Sequence, residues 1–197
     1  MTKDRKTEND IILRDATEKD AAQILTIYAP YVEHTAITFE LEIPSIEEMR
    51  DRIAGTIKSG FPYLVACVKG EIVGYGYAGK FHPRAAYDHC AEMTVYLKDE
   101  VKGRGIGRRI YEEIERRLLQ MGKLNAYACI ARTEVEDAHL TNASICFHEA
   151  LGYRIVGRFT KCGYKFDTWY DMVWMEKMLG EHRAQKISDK ECGKMCP

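Results

Sequence analysis

Apolar residues recur along this chain with two different periods, and the change from one to the other marks off its elements. Residues 11–14 are a short β-like run. Behind Thr17, placed as a helix cap, Ala21, Ile24, Leu25 and Tyr28 recur at helical spacing. Pro30 falls late in that pattern and predicts a kink or an end there. Residues 35–43 read as a loop or short extended segment. Ser45 with Glu48 forms a capping box before a second helix, whose Ile46, Met49 and Ile53 share one side. From Tyr63 the period shortens to that of strands. Residues 63–68 and 71–78 read as a hairpin closed at Lys69-Gly70, and 92–97 as a third β run. A helix follows from Ile106 to about Met121, then a short apolar strand over 124–131. Thr141 or Asn142 opens a last helix that Gly152 ends, and residues 153–159 and 169–178 are the final strands. The order β-α-α-β-β-β-α-β-α-β-β predicts an α/β (α+β) fold, a mixed central sheet flanked by helices on both faces. Residues 1–10 and 181–197 are polar and aperiodic, which predicts flexible ends around a domain spanning 11–180.

Composition narrows the classes open to such a domain. At 197 residues the chain can bury one full core. With 29 basic against 30 acidic side chains, its charge of -1 argues against a broad nucleic-acid surface. No apolar run approaches the roughly 18 residues of a membrane span. The first ten residues are polar, unlike a signal peptide, so the expected location is the cytoplasm, with neither membrane nor nucleic acid as partner. Seven cysteines at scattered spacings, without a C-x-x-C pair, indicate neither a disulfide framework nor a zinc site. Cys67, Cys129 and Cys146 lie in apolar runs and read as small buried hydrophobes, while Cys192 and Cys196 fall in the polar tail. His34, His82, His89 and His139 lack metal-ligand spacing, so no metal is expected.

The strongest chemical signal is V-K-G-R-G-I-G-R-R over residues 101–109, between an apolar strand and a helix. Three alternate glycines framed by Lys102, Arg104, Arg108 and Arg109 let several backbone N–H groups converge on one anion at a helix N-terminus. A phosphate or pyrophosphate ligand is implied. The P-loop is excluded because Gly107 is followed by Arg108 and not by Lys-Ser/Thr. The dinucleotide fingerprint is excluded because position 108 is not glycine and residues 124–131 carry no carboxylate. Glu92 begins an otherwise apolar strand, where partial burial at a cleft would raise its pKa and suit it to proton abstraction. The competing reading is a rim carboxylate paired with an arginine. His148 lies one helical turn beyond Ser144, so both can face one side, and its imidazole suits either proton role.

The glycine loop, opened by Lys102, is similar to the R/Q-x-x-G-x-G/A loop that binds the coenzyme A pyrophosphate in the GNAT N-acetyltransferases. Over residues 11–178 the chain resembles the phosphinothricin and methionine sulfoximine N-acetyltransferases of that superfamily. The resemblance rests on I-L-T-I-Y-A-P-Y-V-E-H-T-A-I-T-F-E (24–40), G-Y-A-G-K-F-H-P-R-A-A-Y-D (76–88), A-E-M-T-V-Y-L (91–97), the glycine loop, S-I-C-F-H-E-A-L-G-Y (144–153) and G-Y-K-F-D-T-W-Y-D (163–171). It implies the GNAT fold and acetyl transfer from acetyl-CoA to the amine of a small amino-acid-like acceptor. It implies Glu92 as the base, acting directly or through water, and His148 where many relatives have a tyrosine acid. Val95 and Leu97 would meet the pantetheine arm through their main chains. Gly103, Arg104, Gly105, Gly107 and Arg108 would form the pyrophosphate nest, with Ser144 nearby. The usual asparagine before that serine is replaced by Thr141, with Asn142 beside it, and either can take its place. Arg84 would bind an acceptor carboxylate, with Phe39 and Tyr87 and then Glu40, Lys165 and Tyr170 as walls. A homodimer is implied as well. Another acceptor on the same fold (a polyamine, a different amino acid, a protein N-terminus) or a non-catalytic acyl-CoA-binding module are the alternatives.

Overall fold

In a computed structural model, which describes residues 11–183, seven strands form one sheet in the order β1-β2-β3-β4-β5-β7-β6. The strands are β1 (Ile11–Asp15), β2 (Tyr63–Val68), β3 (Glu71–Lys80), β4 (Cys90–Leu97), β5 (Asn125–Arg132), β6 (Arg154–Lys165) and β7 (Thr168–Met178). Four helices complete the fold: α1 (Ala21–His34), α2 (Ile46–Lys58), α3 (Ile106–Gln120) and α4 (Ala143–Ala150). The predicted element order is the observed one. Residues 1–10 and the tail cysteines Cys192 and Cys196 lie outside the described residues.

Helices cover both faces, and strand alternation assigns side chains between them. On one face Ile24, Ile27, Met49 and Ile53 of α1 and α2 pack on Tyr63, Val65 and Tyr75. On the other, Ile106, Ile110, Ile114 and Leu118 of α3 pack on Leu64, Ala66, Met93 and Ala128. Lys69 and Gly70, both with positive φ (51° and 86°), close the β2–β3 hairpin as expected. Ser45 and Glu48 form the expected capping box, with Ser45 Oγ accepting from the Glu48 N–H at 3.1 Å.

Four expectations change. Thr17 caps a short 3-10 turn (Glu18–Asp20) that leads into α1, and its N–H donates to Asp20 at 2.8 Å. Pro30 does not end α1, which continues to His34 because Tyr31 and Val32 are buried beyond it and Thr35 closes the turn on the Tyr31 carbonyl. Ile46 is exposed while Met49 and Ile53 are buried, so the buried side of α2 begins at Met49. Cys67 is buried, but Cys129 and Cys146 are exposed, Cys129 on the side of β5 that faces the gap beside β4.

Candidate active site

The sheet opens at its centre. β4 and β5 run parallel and pair only from Cys90↔Asn125 to Glu92↔Tyr127, after which they separate. Lys98 donates its N–H to the Val73 carbonyl of β3, so by alternation the main chains of Val95 and Leu97 point away from β3, into the gap. A cleft of about 260 Å³ occupies this space, lined by Glu92, Val95, Tyr111, Ser144, His148 and Phe39 among others. The Leu97 carbonyl is already taken by the Tyr31 hydroxyl at 2.6 Å, which leaves its N–H and the groups of Val95 for an extended ligand chain.

The glycine loop leads from β4 into α3. Gly103 and Gly105 sit at φ 74° and 75°, conformations that disfavour any side chain, and Gly105 occupies the N-cap of α3. Arg109 closes the first helical bond onto the Gly105 carbonyl, so the N–H groups of Ile106, Gly107 and Arg108 have no partner within the helix. Gly107 lies close to α4: a Cβ there would sit 3.2 Å from the Phe147 ring, so a larger residue would press on that ring. The cationic side chains divide. Arg104 is exposed at the loop, whereas Arg108 donates to the Ala150 carbonyl at 3.0 Å and Lys102 pairs with Asp99 at 2.5 Å while lying over the Tyr31 ring. This donor set, several free N–H groups with a nearby cation, fits a pyrophosphate.

Glu92 has no hydrogen bond or ion pair among the described residues, and burial alone raises its pKa above the usual carboxylate range. The alternative of an arginine-paired rim carboxylate is therefore not what the fold builds. His148 is differently placed. Its Nδ1 donates to the Ser144 carbonyl at 2.7 Å, which leaves Nε2 to accept from the Tyr111 hydroxyl at 2.8 Å. The ring is buried, and loss of hydration lowers its pKa to about 4. The folded imidazole thus refuses a proton that the unfolded chain accepts below pH 6.5. Stability is expected to fall between pH 6.5 and about 4, by about 3 kcal/mol in full. Denaturation at pH 7 and pH 4.5 tests this, with His148→Gln expected to show a smaller loss over that interval.

Asn142 caps α4 with both ends of its amide engaged by the Thr133 backbone, at 3.3 and 3.0 Å. Of the two candidates for the missing asparagine, exposed Thr141 is the one whose side chain makes no bond among the described residues. Arg84 and Tyr87 lie on the exposed loop between β3 and β4, eight and five positions before Glu92. Arg84 has no anionic partner among the described residues, while Tyr87 packs on His82 with ring centres 4.9 Å apart. Phe39 lies flat on Gly163 of β6, where a Cβ would approach its ring to 2.4 Å.

The three further wall candidates are each held by a partner within the fold. Tyr170 is fully buried and donates to Asp137 at 2.8 Å. Lys165 is buried and donates to the Thr38 carbonyl at 3.0 Å. Glu40 is held in a two-point pair by Arg52, at 2.7 and 3.3 Å. Two residues went unread in the sequence, Tyr111 on His148 and Tyr31 on the Leu97 carbonyl, because each sits at an ordinary core position of its helix.

The parted strands, the N–H-rich loop before α3 and the flanking cleft define an acyl-CoA-dependent transferase, and the chain belongs to the GNAT acetyltransferase family. The family profile, described as an acetyltransferase (GNAT) domain, matches residues 13–174. The chain is 34% identical to a phosphinothricin N-acetyltransferase of Alcaligenes faecalis, over 85% of this chain and 82% of that one. It is 28% identical to an L-methionine sulfoximine/L-methionine sulfone acetyltransferase of Pseudomonas paraeruginosa, over 87% and 96%. The crystal structure of a phosphinothricin acetyltransferase from Sinorhizobium meliloti in complex with acetyl-CoA superposes with a TM-score of 0.81 at 33% identity, covering 91% of this chain and 94% of that one. The protein is an acetyl-CoA-dependent N-acetyltransferase.

Proposed function

We propose that this enzyme acetylates the α-amine of small amino-acid-like acceptors of the phosphinothricin and methionine sulfone type, with Glu92 as general base. The observation that carries the reading is the Glu92 carboxylate, without a partner among the described residues, at the point where β4 and β5 part, on the strand that follows the loop bearing Arg84. When bound, acetyl-CoA would supply a thioester whose carbonyl the amine attacks, with the C–S bond breaking to release the coenzyme A thiolate, which takes up a proton from water. Residues Gly103 to Arg108 hold its pyrophosphate, with Lys102 at the head of the loop. Val95, Leu97, Thr141 and Ser144 flank its pantetheine arm.

Glu92 removes the ammonium proton, either directly or through one water. Its raised pKa brings it closer to that of an amine and makes it a stronger base than an ordinary surface carboxylate. Arg84 binds the acceptor carboxylate and thereby places the amine. His148, neutral and bonded at both ring nitrogens, holds Tyr111 against the cleft. It acts as a positioning residue in the resting protein, since donating from Nε2 would require that bond to break.

The test is kinetic. Free-thiol release is followed with acetyl-CoA and acceptors that carry or lack the α-carboxylate. Arg84→Ala is expected to raise KM about 10- to 100-fold for the carboxylate-bearing acceptors alone, which corresponds to loss of one charge-assisted contact. Equal effects on both classes would reject carboxylate recognition by Arg84. The reading includes a homodimer in the cytoplasm. Ile155, Val156, Phe159 and Trp169 leave the edge hairpin β6–β7 with an exposed apolar surface, and no described helix is long and apolar enough to cross a membrane. Sedimentation at micromolar concentration is expected to give the dimer mass, and a strict monomer would reject it.

A further inference from the structure

A second cleft, of about 470 Å³, lies between α2 and the same face of the sheet that carries Glu92. Its walls are aromatic. Tyr63 and Tyr77 stack with ring centres 4.9 Å apart, and Tyr75 packs on Tyr96 at 5.5 Å. Tyr63 and Tyr75 are only 4% and 2% exposed. The hydroxyls of Tyr63, Tyr75 and Tyr96 nonetheless have no hydrogen-bond partner among the described residues. None of them is sealed away, because no described buried side-chain oxygen is left both enclosed and unpartnered. Each of the three hydroxyl oxygens therefore keeps some open surface, and all three residues line the cleft. Phenylalanine would pack these rings equally well, so the hydroxyls need an explanation outside packing.

The cleft adjoins the reaction centre. Tyr77 and Tyr96 line both cavities. Gly79 is the register partner of Glu92, faces the same side, and lines the tyrosine cleft with nothing within 4 Å of where its Cβ would lie. A side chain there would project into open space between the carboxylate and the tyrosines. At the mouth the Glu40–Arg52 pair is mutually neutralised, so binding inside depends on O–H dipoles and ring faces.

We infer that the tyrosine cleft is the subsite for the acceptor's tail, with Gly79 as its threshold, and that it takes a short chain ending in hydrogen-bond-accepting oxygens, as in a sulfone. The inference rests on the amino-acid acceptor reading and assigns the part of that acceptor remote from the amine. Tail methylenes cross Gly79, the terminal oxygens accept from the tyrosine hydroxyls, and the ring faces cover the carbon atoms.

Alanine, norleucine and methionine sulfone share a head and differ only in the tail, so their kcat/KM ratios isolate this subsite. Gly79→Val is expected to lower the norleucine-to-alanine ratio about tenfold or more by closing the threshold. Tyr75→Phe, which removes one hydroxyl and keeps the ring, is expected to lower the methionine sulfone-to-norleucine ratio about five- to tenfold. Ratios unchanged in both variants would overturn the subsite and leave the acceptor reading standing. If the unaltered enzyme acetylates none of the three while it still binds acetyl-CoA, the acceptor reading fails and the subsite fails with it.

Discussion

Replacing Glu92 with glutamine is expected to lower kcat by about 10²- to 10⁴-fold while acetyl-CoA binding stays unchanged. The amide keeps the size of the carboxylate and removes its basicity, and the glycine loop lies beyond the other end of β4. The pH profile gives the sharper signature. Because burial raises the Glu92 pKa, the acid limb of kcat/KM in the unaltered enzyme should lie above the usual carboxylate range, and that limb should vanish in the variant. Stability should move the opposite way from activity. A raised folded-state pKa means that the folded protein holds the proton more tightly than the unfolded chain. The ionised carboxylate therefore costs stability above its unfolded pKa and stops costing it in acid. Glu92→Gln is expected to melt higher at neutral pH and to converge with the parent as pH falls. Turnover preserved across the whole range would remove Glu92 from the mechanism.

The second large effect is expected at the loop. Gly105→Asp should weaken acetyl-CoA binding by about 100-fold or more while leaving the protein folded. Gly105 caps α3 at φ 75°, and a Cβ there meets nothing within 4 Å, so the added group strains the backbone without colliding with the core. The strain costs about 1–3 kcal/mol and is shared by Gly105→Ala. What aspartate adds is a negative charge among N–H groups that would otherwise face a pyrophosphate. Calorimetric titration of both variants with acetyl-CoA separates the two contributions: alanine should lose modestly, aspartate far more. Equal losses would show that the loop does not carry the anion.

The fold was readable because most of its elements are half-buried and so keep a clean period. The hairpin at Lys69-Gly70 and the capping box at Ser45 were evident from two or three residues each, since their backbone geometry demands those residue types. Pro30 misled because local propensity cannot register the burial of Tyr31 and Val32 beyond it. Cys129 misled because its strand lies beside the gap, where one side of β5 loses its cover.

Glu92 stood out as a lone carboxylate in an apolar strand, and it has no partner among the described residues. The Tyr111 partner of His148 could not be read, because that contact joins residues 37 positions apart. The tyrosine cleft was hidden for a similar reason. Tyr63, Tyr75, Tyr77 and Tyr96 fit ordinary strand positions, and only the registers of three strands bring them to one face.

The central claim is that the chain moves acetyl groups to the α-amine of amino-acid-like acceptors. The most direct measurement is mass analysis of an equimolar mixture of phosphinothricin, methionine sulfone, spermidine and a short peptide, incubated with the enzyme and acetyl-CoA. The account predicts one added acetyl group on the α-amine of the two amino-acid-like compounds, with one coenzyme A thiol released for each. Acetylation confined to spermidine or to the peptide N-terminus, or no acetylated product at all, would contradict it.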